Sequence, residues 1–268
     1  MSQQPQRDNA VQGGVALVTA GASGIGREIA KTFLQQGYSV HICDVDRDAV
    51  DRFISDHQYT TGSYCDVSDA AQVDSLFDDL ASQHGKLKVL VNNAGIAGPT
   101  ARVEDIDPAD WNRTIEVGLN GAFYVTRRAV PLLKTGGGGS IINIASSAAF
   151  FGFPLRSPYA AAKWALIGFT KTLAMELGPS GIRVNAICPG SVSGPRIDAV
   201  IARDASARGA TEQEIRDAWT KQTSLRCFVD PQDVAAMAAF LVSPAGAKIS
   251  GQAMGVDGHT ESLSNPMD

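Results

Sequence analysis

The chain has 268 residues, 44% hydrophobic and 19% charged, with 23 basic against 28 acidic side chains and a net charge of -5. That balance offers no basic footprint for nucleic acid or anionic lipid, and no stretch approaches the ~18 consecutive apolar residues of a membrane span, so neither a nucleic-acid nor a membrane partner is expected. The opening "MSQQPQRDNAVQGG" lacks a secretion signal's apolar run: residues 1–12 are expected to be a flexible lead-in, 13–268 one domain, and the cytoplasm the compartment.

In chain order, "VALVT" (15–19) predicts a first strand, running through a glycine-rich turn into a helix that begins near Ile25. "SVHICD" (39–44) predicts a second strand closing on Asp44, and "GSYCDV" a weaker one. "KVLVNNAG" (88–95), "SIINIAS" (140–146), "RVNAICPG" (183–190) and "AMGVDG" (253–258) predict the rest. Most are nearly continuous apolar runs, the pattern of strands covered on both faces. Asp107-Pro108 and Asp230-Pro231 each place a capping residue before a first-turn proline, and "TGGGGS" (135–140) ends a helix before a strand. The expected fold is α/β: a Rossmann-like doubly wound parallel sheet of about seven strands flanked by helices. The polar, helical stretch from about 191 to 226 follows a strand's carboxyl end, where ligands sit in such sheets, and is expected to cover a substrate pocket.

The first turn carries the first chemical signal. Gly21, Ser23, Gly24, Ile25 and Gly26 join a strand to a helix whose free N–H groups and positive dipole end suit a pyrophosphate. Asp44 lies 20 residues beyond Gly24, where a carboxylate accepts hydrogen bonds from an adenosine ribose and repels a ribose phosphate. The expected cofactor is therefore NAD. Arg47 is the one basic residue close by, between Asp46 and Asp48. Cys43, Cys65, Cys188 and Cys227 have no paired spacing, so no disulfide, zinc site or thiolate nucleophile is expected, and no metal site.

From about 13 to 258 the sequence resembles the short-chain dehydrogenase/reductase family. The resemblance rests on the glycine segment, "CDV" (65–67), "NNAG" (92–95), Ser146, Tyr159-x-x-x-Lys163 thirteen residues after it, and "PG" (189–190). It implies that Asp66 and Val67 border the adenine and that Asn92, Asn93, Ala94 and Gly95 support the cofactor. It further implies that Pro189, Gly190 and Val192 hold the nicotinamide, Tyr159 and Lys163 also touch the cofactor, and the chain assembles as a homotetramer. Ser146, Tyr159 and Lys163 are the implied catalytic set. Residues i and i+4 share a helix face, so the Lys163 ammonium can favour the Tyr159 phenolate, while Ser146 donates to the substrate oxygen. Alanines 160, 161, 162 and 165 would let cofactor and neighbouring helices come close.

Several positions depart from the family pattern. Ala20 stands where a glycine is usual, Gly118 where an asparagine kinks a helix and holds a relay water, Gly194 where a threonine is common, and His259 where a second glycine follows "VDG". A glycine at 118 could still bend the helix and bare its carbonyl. Asn120 is rotated about 200° from Gly118 and stays outside the catalytic set. His259 is expected to face solvent or a neighbouring subunit.

Substrate contacts are expected from Ser146, Ala148, Phe153, Arg156, Tyr159 and Arg196, with Phe150, Leu155 and Ile197 nearby. Arg156 and Arg196 read equally well as surface charges. The expected activity is hydride transfer between NAD(H) and a secondary alcohol or ketone, a small hydroxy acid or sugar-derived metabolite. The alternatives are a 3-ketoacyl-thioester or aryl-ketone reductase of the same family, and a non-catalytic NAD-binding sensor.

Overall fold

A computed structural model describes residues 13–260; the expected lead-in, 1–12, and the tail "ESLSNPMD" lie outside the described residues. Seven strands, β1 (Val15–Thr19), β2 (Ser39–Asp44), β3 (Thr60–Tyr64), β4 (Val89–Asn92), β5 (Gly139–Ile144), β6 (Ile182–Pro189) and β7 (Ala253–Val256), form one sheet in the order β3-β2-β1-β4-β5-β6-β7. All six pairings are parallel. The central strands are buried along their length. The edges β3 and β7 are largely half-exposed, which is why their sequences carry weaker apolar signals.

Successive residues of a strand face opposite sides of the sheet, and each side has its own helical layer. Ala16 and Val18 of β1 pack with Ile29 and Phe33 of α1 (Gly24–Gln35), Val50 and Phe53 of α2 (Arg47–Asp56), and Val234 and Leu241 of α9 (Pro231–Val242). Leu17 faces the other layer, with Val73 and Leu80 of α3 (Ala70–His84), Val125 and Leu133 of α5 (Gly121–Thr135), and Leu173 and Leu177 of α6 (Ser157–Leu177).

The predicted helix starts form as capped ends. The Asp107 carboxylate accepts from the Ala109 N–H at the head of α4 (Pro108–Ile115), with Pro108 in the first turn. Asp230 and Asp233 form a reciprocal capping box at the head of α9. Residues 116–120 then wind as a π-helix between α4 and α5.

The stretch after β6 folds as α7 (Pro195–Arg208) and α8 (Glu212–Lys221) around a small core of Ile201, Ala205 and Ile215, against which Ile197, Trp219 and Phe228 pack. Gly194, at the entry to α7, takes φ 136, a conformation that disfavours a threonine. The insert is tied down by a parallel bridge between Val192 and Val229 and an antiparallel one between Thr223 and Thr260. His259 is exposed, as expected, and also pairs its Nδ1 with the Ser224 hydroxyl at 2.6 Å, fastening the far end of the insert to the segment after β7.

Candidate active site

The strand order reverses beside β1, and the crevice at the carboxyl ends of β1 and β4 is the topological switch point of the sheet. Its floor is held from within the chain. Thr19 Oγ1 accepts from the N–H groups of Asn93 and Ala94, both at 2.9 Å. Asn93 Nδ2 donates to the carbonyls of Thr19 and Ala20 at 3.0 and 3.1 Å. A Cβ at Gly26 would lie 2.2 Å from the Ala20 oxygen and 2.5 Å from Asn93 Nδ2, so close helix-to-turn packing dictates that glycine. Ala20 itself closes the turn in the left-handed region, at φ 48; the missing family glycine is met by strain of about 1–2 kcal/mol.

Gly21 and Ser23 complete the turn into α1. Ser23 makes no side-chain cap, which leaves the first-turn N–H groups of Ile25 and its neighbours aimed at the crevice. Asp44, buried at the end of β2, accepts from the Ala22 N–H through Oδ2 at 3.2 Å and from the Asp46 N–H through Oδ1 at 3.3 Å. Arg47 lies over the Tyr64 ring, 5.0 Å from its centroid. Asp66 is drawn into a cluster the sequence did not reveal: it accepts from Ser68 and, at 2.8 Å, from Arg113 of α4. Burial pushes the Asp66 carboxyl up, but the bonds from Ser68 and Arg113 outweigh it and hold the group below its usual range. Val67 is buried against Gly121. On the far side of the crevice, Pro189 ends β6, Gly190 donates to the Val256 carbonyl at 3.0 Å, and Val192 follows in its bridge to Val229.

Across from these residues stand Ser146, Tyr159 and Lys163. Ser146 follows β5 with extended backbone, and its Oγ accepts from the N–H of fully enclosed Ala148 at 3.2 Å. Ala148 therefore orients the serine, and its methyl is shut away from any substrate. Lys163 is buried one turn after Tyr159 on α6, its Nζ 5.7 Å from the tyrosine ring centroid and donating to the Ile144 carbonyl at 2.8 Å. Gly95 lies beside this ammonium, where an added Cβ would sit in ordinary contact with Nζ at 3.5 Å.

Burial alone would raise the Tyr159 phenol. The Lys163 ammonium, Arg196, a hydrogen bond from Ser146 and Arg156 together outweigh it and bring the phenol below its ordinary value of 10.0. Burial likewise lowers Lys163, with the tyrosine opposing that effect. The π-helical turn places Gly118 against α6, where an added Cβ would meet the Ala162 methyl at 3.4 Å. The helix is thus distorted here without an asparagine, in a winding often found at functional sites. Of the alanines around the pair, Ala162 is buried in that helix contact, whereas Ala161 is exposed.

Arg156, which the sequence left undecided between pocket and surface, is 5% exposed. Its Nη2 donates to the Ala97 carbonyl at 2.6 Å, and its guanidinium lies 5.4 Å from the Tyr159 ring centroid and 5.5 Å from that of Phe153. Phe153 meets Trp219 of α8 edge-on at 6.3 Å. Arg196 is exposed at the head of α7 but close enough to act on the phenol. Ile197 is half-buried and packs against the insert's own core.

A family model described as enoyl-(acyl carrier protein) reductase matches residues 19–259. The chain is 33% identical over 250 residues to a D-beta-hydroxybutyrate dehydrogenase of Rhizobium meliloti, covering 91% of this chain and 96% of that protein. Among solved structures, it is similar to a 3-ketoacyl-(acyl-carrier-protein) reductase from Brucella melitensis in complex with NADH, with TM-score 0.82, 31% identity, and 92% of this chain and 97% of the other covered. It is also similar to a variant actinorhodin polyketide ketoreductase with NADPH, with TM-score 0.87, 33% identity, and coverage of 91% and 95%. Sheet order, the order of motifs along the chain and these likenesses agree: the chain belongs to the short-chain dehydrogenase/reductase family of oxidoreductases.

Proposed function

We propose that the chain is a cytoplasmic, homotetrameric dehydrogenase that moves a hydride between NAD(H) and a small secondary alcohol or its ketone, with a hydroxy acid or sugar-derived acid as substrate. One observation carries the reading: a partly buried phenol brought down by Lys163, Arg196, Arg156 and Ser146 at the mouth of a switch-point crevice. The crevice suits a dinucleotide, because it offers uncapped amides at the head of α1 and a buried carboxylate at the end of β2. Asp44 and the engagement of Arg47 with Tyr64 favour NAD over a 2′-phosphorylated cofactor. Exposed Phe123, Trp164, Met175 and Phe240 supply apolar surface for assembly.

When bound, the nicotinamide supplies the hydride acceptor or donor. The protein handles the proton. Tyr159 takes the alcohol proton at its phenolate oxygen in oxidation and returns it in reduction. Lys163, fixed in place by the Ile144 carbonyl, favours the charged form of that oxygen. Ser146, held by Ala148, donates to the substrate oxygen where negative charge develops. Arg156 and Arg196 add positive charge for a carboxylate. A 3-ketoacyl-thioester reductase is the second reading, supported by the names of the two similar ketoreductase structures. A sensor without turnover has no need of all three catalytic groups.

The test is a panel of hydroxy acids, sugar acids, ketoacyl thioesters and neutral secondary alcohols with NAD and NADP, following reduced-cofactor absorbance. Hydroxy acids with NAD should be turned over best, and Tyr159→Phe should lower kcat by about 10²–10⁴-fold while cofactor affinity holds. A preference for thioesters with NADP would replace this reading by the second, and an unimpaired Tyr159→Phe would refute both.

A further inference from the structure

Among the described residues, six buried side-chain polar atoms have no hydrogen-bond partner, and three of them, Thr100 Oγ1, Arg156 Nε and Asp204 Oδ2, line one cavity beneath the insert. Arg156 is 5% and Asp204 4% exposed. Each is pinned by its other atoms: Arg156 Nη2 by the Ala97 carbonyl at 2.6 Å, and Asp204 Oδ1 by Arg208 Nε at 2.8 Å. Arg156 Nε and Asp204 Oδ2 therefore cannot swing to other partners without breaking those bonds. Phe153, Val200 and Trp219 give the cavity apolar walls. A buried polar atom left unpaired costs about 1–3 kcal/mol, and more when charged, so three in one place make a strong demand for an occupant.

Size and polarity define that occupant. The cavity's volume of about 10 Å³ is room for one water-sized group. Arg156 Nε can only donate, the Asp204 oxygen can only accept, and the Thr100 hydroxyl can donate. A hydroxyl matches this set, accepting from Arg156 and Thr100 and donating to Asp204. Arg208, already paired with Asp204, also lines the cavity. A carboxylate is too large for this volume, a carbonyl leaves Asp204 unpaired, an ammonium has nothing to accept from Arg156, and a methyl satisfies none of them. The Arg156 guanidinium also lies 5.4 Å from the Tyr159 ring centroid, so one side chain links the cavity lining to the catalytic tyrosine. We infer that Thr100, Arg156 and Asp204 form a specificity subsite that receives a second hydroxyl of the substrate, so that the enzyme selects a polyhydroxylated acid over its deoxy analogue. The inference rests on the dehydrogenase reading above and narrows its substrate class.

The experiment compares kcat/KM with NAD for two acids that differ by one hydroxyl, 3,4-dihydroxybutyrate and 3-hydroxybutyrate, in the wild type, Thr100→Val and Asp204→Asn. The wild type should favour the dihydroxy acid by about tenfold or more, and both variants should bring the ratio to within about threefold of unity. Thr100→Val nearly preserves volume and serves if Asp204→Asn fails to fold. Equal rates in the wild type, or an unchanged ratio in variants that have merely lost thermal stability, would overturn the subsite and leave it as the seat of a structural water. If neither acid turns over, the dehydrogenase reading fails for this class and the subsite is judged by binding. A rise in the Tm of the NAD-loaded wild type with 3,4-dihydroxybutyrate, lost in both variants, upholds it, and no rise in the wild type refutes it.

Discussion

The nucleotide side and the substrate side of the crevice handle their polar groups in opposite ways. Around the β1 turn, Thr19, Asn93 and Asp44 spend their hydrogen bonds on the chain itself, over a core continuous with the sheet, and Asn92 Oδ1 is the unpaired buried atom next to it. Under the insert, Thr100, Arg156 and Asp204 supply three of the six unpaired buried polar atoms among the described residues, beside a core of three buried side chains. The contrast separates scaffold from selector. A surface that cradles the part common to all dinucleotides is best made rigid by internal bonds, whereas one that chooses among substrates must keep donors and acceptors open.

The largest test of that contrast lies on the nucleotide side. His41 of β2 is fully buried, its ring bonded to Thr61 at 2.8 Å and to Ser63 at 3.1 Å. Burial, with a smaller contribution from His84, lowers its pKa to about 4. The unfolded chain takes up a proton near pH 6.5 that the native ring refuses until about pH 4. Stability is therefore fully kept above pH 6.5 and falls as pH drops from 6.5 towards 4, by about 3 kcal/mol for this one group. Denaturant unfolding at pH 7 and pH 4.5 should show His41→Asn losing less stability on acidification than the wild type. Identical losses would mean that the internal bonds of this half carry no such cost.

A smaller effect, of different kind, is expected in the insert. Ile201→Ala, in a small core with room to relax, should cost about 2 kcal/mol, at the low end for such truncations. The cost should appear as local opening of α7 in hydrogen exchange and as a raised KM, with a nearly unchanged global Tm. A full drop in Tm would show the insert to be as much a part of the scaffold as β1. The smallest change is Ala20→Gly. Relief of the left-handed strain is offset by the backbone entropy of glycine, for a net stabilisation within about 1 kcal/mol, read as a Tm rise of a few degrees at most. A destabilised variant would show that the turn holds Ala20 without strain.

The strands were legible because central parallel strands are apolar without interruption, and β1, β2 and β5 lie within a residue or two of their predicted spans. The boundaries of β3 were not, since an edge strand with one half-wet face carries little pattern: the signal "GSYCDV" straddles its end, and the strand starts at Thr60. Ser146, Tyr159 and Lys163 could be named because the family resemblance points to them; spacing by itself gave only that Tyr159 and Lys163 share a helix face. Arg156 could not be placed, as nothing local distinguishes a buried arginine from an exposed one. Arg113 on Asp66, Ile144 on Lys163 and Ser224 on His259 also escaped, each pairing residues 19 to 47 positions apart. The π-turn at 116–120 was half anticipated, in the expectation that Gly118 could still bend its helix.

Alone, the sequence determined the parallel sheet, the glycine turn at its switch point, and a tyrosine and lysine on one helical face, because each is written in periodicity or spacing within a few dozen residues. Only the tertiary structure decided that Thr100, Arg156 and Asp204, from three separate segments, meet around one cavity with one polar atom of each left unpaired. Whether a polar atom ends up satisfied depends on which distant atoms close around it, and no local pattern encodes that.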